Sequence, residues 1–336
     1  MPAPANWRER VKGSLDEYER SPDKIGRPYD ELFDSFVWME PEPATSLNDF
    51  RRWLSELDGS WGFRGQRESA WTLQTSLDRE IRVFHATGHY PLDRQTEENE
   101  LLFRFQQQAH NYLRHLPAAD DRATWLALMQ HHGVPTRLLD WTQSPYVALY
   151  FAVEETPQGT EKNCPSRSDE KKARQEEPCS AVWAINLKWL EEKATQELGS
   201  ISDDPRTRIQ YLNGVLGEKK RPLIVRIDPL QGNERMFTQQ GFFLWKLYAE
   251  TPYFDQILIS MMLNPELPGR PVIRKLRIGE THRIEFLKSL REMNIHRASL
   301  FPGIDGFCQS LRVDLQIKVD RERQLANLRN AKGARD

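Results

Sequence analysis

Several stretches of the 336-residue sequence gather side chains able to do chemistry. The first is Phe63-Arg64-Gly65-Gln66. A guanidinium offers a planar fork that matches phosphate or carboxylate, so Arg64 is a candidate anion anchor. Gly65 would let a ligand come close to the backbone. The plainer reading is a surface arginine beside a turn. The second stretch, Thr136 to Ser144, is denser in polar groups than a simple connection needs. Arg137 and Asp140 could pair with each other in a purely structural bridge. Thr142 or Ser144 could cap the helix that follows. A helix N-terminus also offers free N–H groups to an anion, and Trp141 would supply a stacking face beside it.

The histidines read less clearly. His131 and His132 are adjacent, so they point to different sides of a helix and make a poor chelating pair. His110 and His115 are five apart, no HExxH spacing occurs, and no metal site is expected. A neutral histidine touching a ligand base or sugar competes here with a structural histidine. Gln239 and Gln240 precede Gly241 in what reads as a strand, where their side chains would take opposite faces. An amide cannot act as a general base near neutral pH, but it can orient a substrate. Asp305, in Ser299-Leu300-Phe301-Pro302-Gly303-Ile304-Asp305-Gly306, reads as part of a turn. No P-loop, GxGxxG or GxSxG pattern occurs, which removes the main support for common nucleotide-hydrolase, dehydrogenase and serine-hydrolase readings.

These groups need elements to hold them. Leu47, Phe50, Leu54 and Leu57 recur at helical spacing behind Ser46 or Asn48 as cap. WGFRGQ reads as a strand running into a tight turn. The segment 97–116 predicts a helix with Leu101, Phe105, Ala109, Tyr112 and Leu116 on one stripe. ATWLALMQHH predicts another, stopped by Gly133. Pro145 suits the first turn of a buried helix, PYVALYFAVEE. Residues 156–178 have almost no apolar content and predict a mobile insertion. SAVWAINL, PLIVRID, FTQQGFFLWKL and RPVIRKLRIG read as strands. HRIEFLKSLREMNI reads as a helix, and the C-terminal residues as a charged helix that frays.

The bulk properties are neutral. A formal net charge of −2 with 29% charged residues advertises neither nucleic acid nor membrane as a partner. No apolar run approaches the ~20 residues that span a bilayer, and the charged N-terminus lacks a signal-peptide core. Three cysteines, Cys164, Cys179 and Cys308, fit a reducing compartment and not a disulfide framework. The expectation is a cytoplasmic α+β protein. Its parts would be an N-terminal extension (1–44), a main domain (45–310) and a charged tail (311–336).

Taken together, Phe63-Arg64-Gly65-Gln66, the tract from Gln130 to Pro145, Gln239-Gln240-Gly241-Phe242 and the stretch Ser299 to Gly306 resemble the FRG-domain family over about residues 45–310. The resemblance implies an α+β fold of ADP-ribosyltransferase-like type, a split mixed sheet with N-terminal and peripheral helices, gripping NAD in a central cleft. It implies Arg64, Gly65, Gln66, His132, Arg137, Asp140, Trp141 and Gln239 around NAD as substrate. Arg64, Thr142, Ser144 and Gln240 would serve transfer to a protein or nucleic-acid acceptor. It also implies a role as a toxin or anti-phage defence effector, with an antitoxin as a conceivable partner. The sequence departs from that superfamily where a third element normally supplies a glutamate. Gln239 or Gln240 stands there, with Glu234 a little earlier. A non-catalytic nucleotide-binding or interaction module on the same fold is therefore the competing expectation.

Overall fold

The computed structural model describes residues 35–86, 94–155, 179–199, 204–215, 223–228, 234–247, 254–264 and 268–333, with a few single positions besides. The expected insertion at 156–178 lies outside these residues, as does most of the expected N-terminal extension.

Twelve α-helices and a seven-stranded mixed sheet make up the described residues. The strands are β1 (Trp38–Met39), β2 (Trp61–Gln66), β3 (Leu138–Thr142), β4 (Cys179–Asn186), β5 (Ile224–Ile227), β6 (Gly241–Lys246) and β7 (Ile273–Gly279), in the spatial order β1-β7-β4-β2-β3-β6-β5. All neighbours are antiparallel except β1 and β7, which run parallel. The α+β class holds.

The helices are α1 (Leu47–Ser55), α2 (Ser76–Ala86), α3 (Arg94–Ala109), α4 (Arg122–His131), α5 (Pro145–Val153), α6 (Leu187–Leu198), α7 (Pro205–Val215), α8 (Glu234–Thr238), α9 (Phe254–Leu263), α10 (Arg283–Glu292), α11 (Arg297–Leu300) and α12 (Ile304–Gly333). They cover both faces of the sheet. β4 is buried at every position, and its side chains alternate between two apolar clusters. Trp183 and Ile185 join a cluster with Leu126 and Met129 of α4 and Trp245 of β6. Val182 and Ala184 join the other, with α5, Phe50, Trp53 and Leu287. A strand buried on both faces loses its polar alternation, which is why the run Ala181 to Ile185 is apolar throughout.

Local signals explain most helix limits. Ser46 and Asp49 form a capping box on α1. Ser144, not Thr142, caps α5 through Val147 N at 3.3 Å, and Pro145 opens its first turn. Gly133, at φ +84°, takes the left-handed conformation that ends α4. Other expectations need correction. The helix over 97–116 stops at Ala109, leaving Tyr112 83% exposed. Gln239 and Gln240 lie in a turn between α8 and β6, not on a strand, and Gln240 has φ +49°. Asp305 and Gly306 form the first turn of α12 and not a free turn. A Cβ on Gly306 would fall 1.9 Å from the carbonyl oxygen of Phe301, so glycine is required there. α12 runs unbroken across position 310, and β1, from the expected N-terminal extension, is an edge strand of the same sheet.

The centre of the sheet is where function can sit. β2 pairs with β4 along six residues but with β3 at one pair only, Phe63 with Thr142. Beyond it the two strands part.

Candidate functional site

A cavity of about 480 Å³ opens at this parting. β2 contributes Phe63, Arg64 and Gly65, and β3 contributes Asp140, Trp141 and Thr142. Leu128 and His131 of α4 lie along one side, and Phe242 and Phe243 of β6 along another. Phe151, Glu154 and Glu155, at the end of α5, stand near Arg235 and Gln239 around the rest. Apolar walls with a few convergent polar groups are the usual make-up of a small-molecule site.

Arg64 is the central cation. Its Nη1 donates to the main-chain oxygen of Asp140 at 2.5 Å, and the Asp140 carboxylate lies 4.0 Å away. Its Nε is buried without a hydrogen-bond partner. Burial pulls the guanidinium below its ordinary pKa, Asp140 counters this, and Arg79 adds to it. An arginine so placed stays charged, and an incoming anion would relieve its desolvation.

Gly65 has a different job from the one expected. A Cβ there would lie 2.0 Å from the oxygen of Ala148 and 2.5 Å from the nitrogen of Ala152. The missing side chain lets α5 lie directly on β2; it is helix packing, not ligand approach, that requires the glycine. Thr142 ties three elements together, donating to the oxygen of Gln239 at 2.6 Å and accepting from the nitrogen of Ser144 at 3.0 Å. Trp141 is buried, lines the cavity, and leaves its indole N–H without a partner.

Several expected site residues stand elsewhere. Arg137 is fully buried and pairs with Glu98, not with Asp140; its Nε reaches Glu98 at 2.5 Å and its Nη2 reaches Gln95 at 3.0 Å. Gln66 accepts from the indole of Trp183 at 2.6 Å and donates to the oxygen of Thr72, both structural bonds. Ser144 is the α5 cap and does not line the cavity. His131 and His132 are both exposed at the end of α4, but only His131 lines the cavity. Burial, then His132 and Arg235, hold the His131 imidazole below its ordinary pKa. Gln240 is exposed outside the cavity; Gln239 lines it, with its amide N–H spent on the oxygen of Leu300 at 3.0 Å.

Residues that sequence reasoning passed over do line the cavity. Glu154 is only 12% exposed, accepts from the Tyr150 hydroxyl at 2.8 Å and pairs with Arg297. Burial and the Glu154 carboxylate together push the Tyr150 phenol far upward, so it remains a donor. Glu155, 66% exposed, pairs with Arg67 at 2.7 Å. A signal was present: two glutamates close an apolar helix at its C-terminus, where the helix dipole disfavours anions. A second cavity of about 360 Å³ adjoins the first and shares His131 and Arg235 with it. There the guanidiniums of Arg235 and Arg297 lie over the ring of Phe301, at 4.4 and 4.1 Å from its centroid. Glu234 and Asp305 line this second cavity and not the first.

Among the described residues no three His, Cys, Asp or Glu side chains are grouped to hold a metal ion, and no helix is long and apolar enough to cross a membrane.

Residues 59–161 match the FRG domain family. That span holds β2, β3, α4 and α5, and so the parting of the strands with most of the cavity wall. The stretches around Gln239 and Ser299, also attributed to the family from their residues, lie outside the matched span. Comparison with curated proteins and with solved structures returns no match.

Proposed function

We propose that the chain binds NAD or a related dinucleotide in the cleft between β2 and β3 and cleaves it at the nicotinamide–ribose bond, passing ADP-ribose to a macromolecule or to water. The single observation that carries this reading is Arg64, a cation with a free Nε set between apolar walls where the sheet parts. A diphosphate suits that cation, and Trp141 and Phe243 line the cavity with aromatic surface for the rings at either end.

The chemistry asks little covalent work of the protein. The bond between the ribose carbon and the nicotinamide nitrogen breaks, and nicotinamide leaves with the electron pair. The ribose takes on oxocarbenium character and is captured by an oxygen or nitrogen nucleophile that loses a proton. Positioning and electrostatic stabilisation supply the rate. We assign the stabilising carboxylate to Glu154. Gln239 and Gln240 are amides, and Gln240 points away. Thr142 shapes the pocket by fixing the turn at Gln239, and Ser144 acts only by anchoring α5. The test is incubation of purified protein with NAD and with protein and nucleic-acid acceptors, following free nicotinamide and acceptor mass. Product that disappears in Arg64→Ala is the expected result.

One observation favours the competing reading of a nucleotide-binding module without turnover. The Glu154 carboxylate is already paired with Arg297, which dulls its charge. Stoichiometric NAD binding with no product over a broad acceptor panel would favour that reading.

A further inference from the structure

The long helix α12 is apolar on two opposite sides. Val313 and Ile317 pack against the core cluster that contains Phe286, Leu287 and Leu290 of α10. Lys288 holds the same side through Asp320 at 2.9 Å. At about 100° per residue, Ile304, Phe307, Leu311, Leu315 and Val319 fall on the side facing away from these contacts. All five are open to solvent, at 71%, 51%, 49%, 61% and 44% exposure. A helix at a protein's surface needs one apolar face. A second, continuous over four turns, amounts to a few hundred Å² that a monomer rarely leaves uncovered.

We propose that a second copy of this chain covers the stripe, with its α12 antiparallel to the first. Two features select that occupant. The stripe is nearly symmetric about its middle: a two-fold axis close to Val313 lays Phe307 level with Val319 and Leu311 level with Leu315. An isologous contact demands such self-complementarity. The flanking charge differs between the two ends, with exposed Asp305 in the first turn and, beyond the far end of the stripe, exposed Arg321 and Arg323 on either side of Glu322. An antiparallel copy sets Asp305 within a turn of Arg323 of the second copy, whereas a parallel copy would set like charges side by side. A membrane surface would want a basic border along the whole stripe; Asp305, Asp314 and Glu322 interrupt it. Asp305 also lines the second cavity, so the second copy would stand at the rim of that adjoining cavity.

Sedimentation equilibrium of the full chain tests this. The wild type is expected to show the mass of two chains at low micromolar concentration. The pair Leu311→Glu and Leu315→Glu should weaken association at least 100-fold, with circular dichroism unchanged and melting that no longer depends on protein concentration, because both side chains are exposed. Asp305→Arg or Arg323→Asp alone should weaken the dimer, and the two together should restore it. Restoration distinguishes antiparallel from parallel, since in a parallel pair the double variant still opposes like charges. A chain that stays single at 100 µM overturns the proposal. So does a dimer indifferent to the Leu311 and Leu315 changes, and so does binding to phosphatidylserine vesicles by a chain that stays single.

Discussion

The guanidinium of Arg64 donates to the main-chain oxygen of Asp140, in a place where a continued ladder would put Gly65. The register of Phe63 with Thr142 sets Gly65 opposite Asp140, yet the strands have already separated and a side chain takes the acceptor. One residue thus satisfies the open edge of β3 and leaves a charge inside the cleft. The two roles separate under substitution. Arg64→Lys keeps the charge but loses the planar fork, and a roughly tenfold loss of NAD affinity is expected, with about 100-fold or more for Arg64→Ala. Isothermal titration measures both, and an unchanged dissociation constant for Arg64→Ala would remove Arg64 from the site.

Gly65→Ala probes packing where ligand approach was expected. The new Cβ would press on main-chain atoms of Ala148 and Ala152, which cannot rotate aside as a side chain can. Overpacking typically costs 1–3 kcal/mol, and backbone obstacles place this change at about 3 or above. Thermal melting should fall by many degrees or the protein should fail to accumulate. A well-folded Gly65→Ala that had lost only ligand binding would return the glycine to the ligand.

Arg137 is expected to matter for stability and not for the ligand. With Arg122 it holds the buried carboxylate of Glu98. Burial alone would raise the Glu98 pKa; the two arginines outweigh it and keep the carboxyl below its ordinary 4.5. The stability tied to this depressed value is present above pH 4.5 and is lost as pH falls through the folded value. Glu98→Gln leaves two guanidiniums uncompensated and should cost about 3–5 kcal/mol at pH 7 in urea denaturation. It should also flatten the acid limb of the stability curve below about pH 5. NAD affinity of any folded fraction should stay within about threefold, because neither residue lines the cavity. A variant as stable as wild type at pH 7 would show that the cluster is not what holds α3 to β3.

What could be read in the sequence follows from how local each signal is. The strand around Arg64 and the buried helix after Ser144 announce themselves through aromatic and glycine punctuation, a cap and a proline at the first turn. The choice of His131 over His132 depends on the rotational phase of α4, which weak amphipathicity leaves open. Nearness in sequence suggests Asp140 as the partner of Arg137. Its partner Glu98 lies 39 residues away on a helix whose packing no local pattern reveals. The turn at Gln239 follows a five-residue helix, too short for periodicity to register. Thr142 and Gln239 come together across 97 residues only because β6 lies beside β3.

Glu154 is the sharpest test of whether the cleft does chemistry. Its carboxylate reaches the cavity from the C-terminus of α5, held by Tyr150 and Arg297. Glu154→Gln keeps the shape and the oxygen that accepts from Tyr150 but removes the negative charge. If the carboxylate stabilises an oxocarbenium-like ribose, nicotinamide release should fall about 100-fold or more while NAD affinity moves less than about threefold. A merely structural strut predicts something else. Tyr150→Phe, which loosens the strut and spares the charge, would then cost as much as Glu154→Gln. The expected order is a small effect for Tyr150→Phe and a large one for Glu154→Gln, with Arg297→Gln between them because it frees the carboxylate while slackening its hold. Steady-state nicotinamide release, with binding followed in parallel, separates these outcomes. Wild-type turnover by Glu154→Gln would dismiss the carboxylate but leave Arg64 and NAD binding standing.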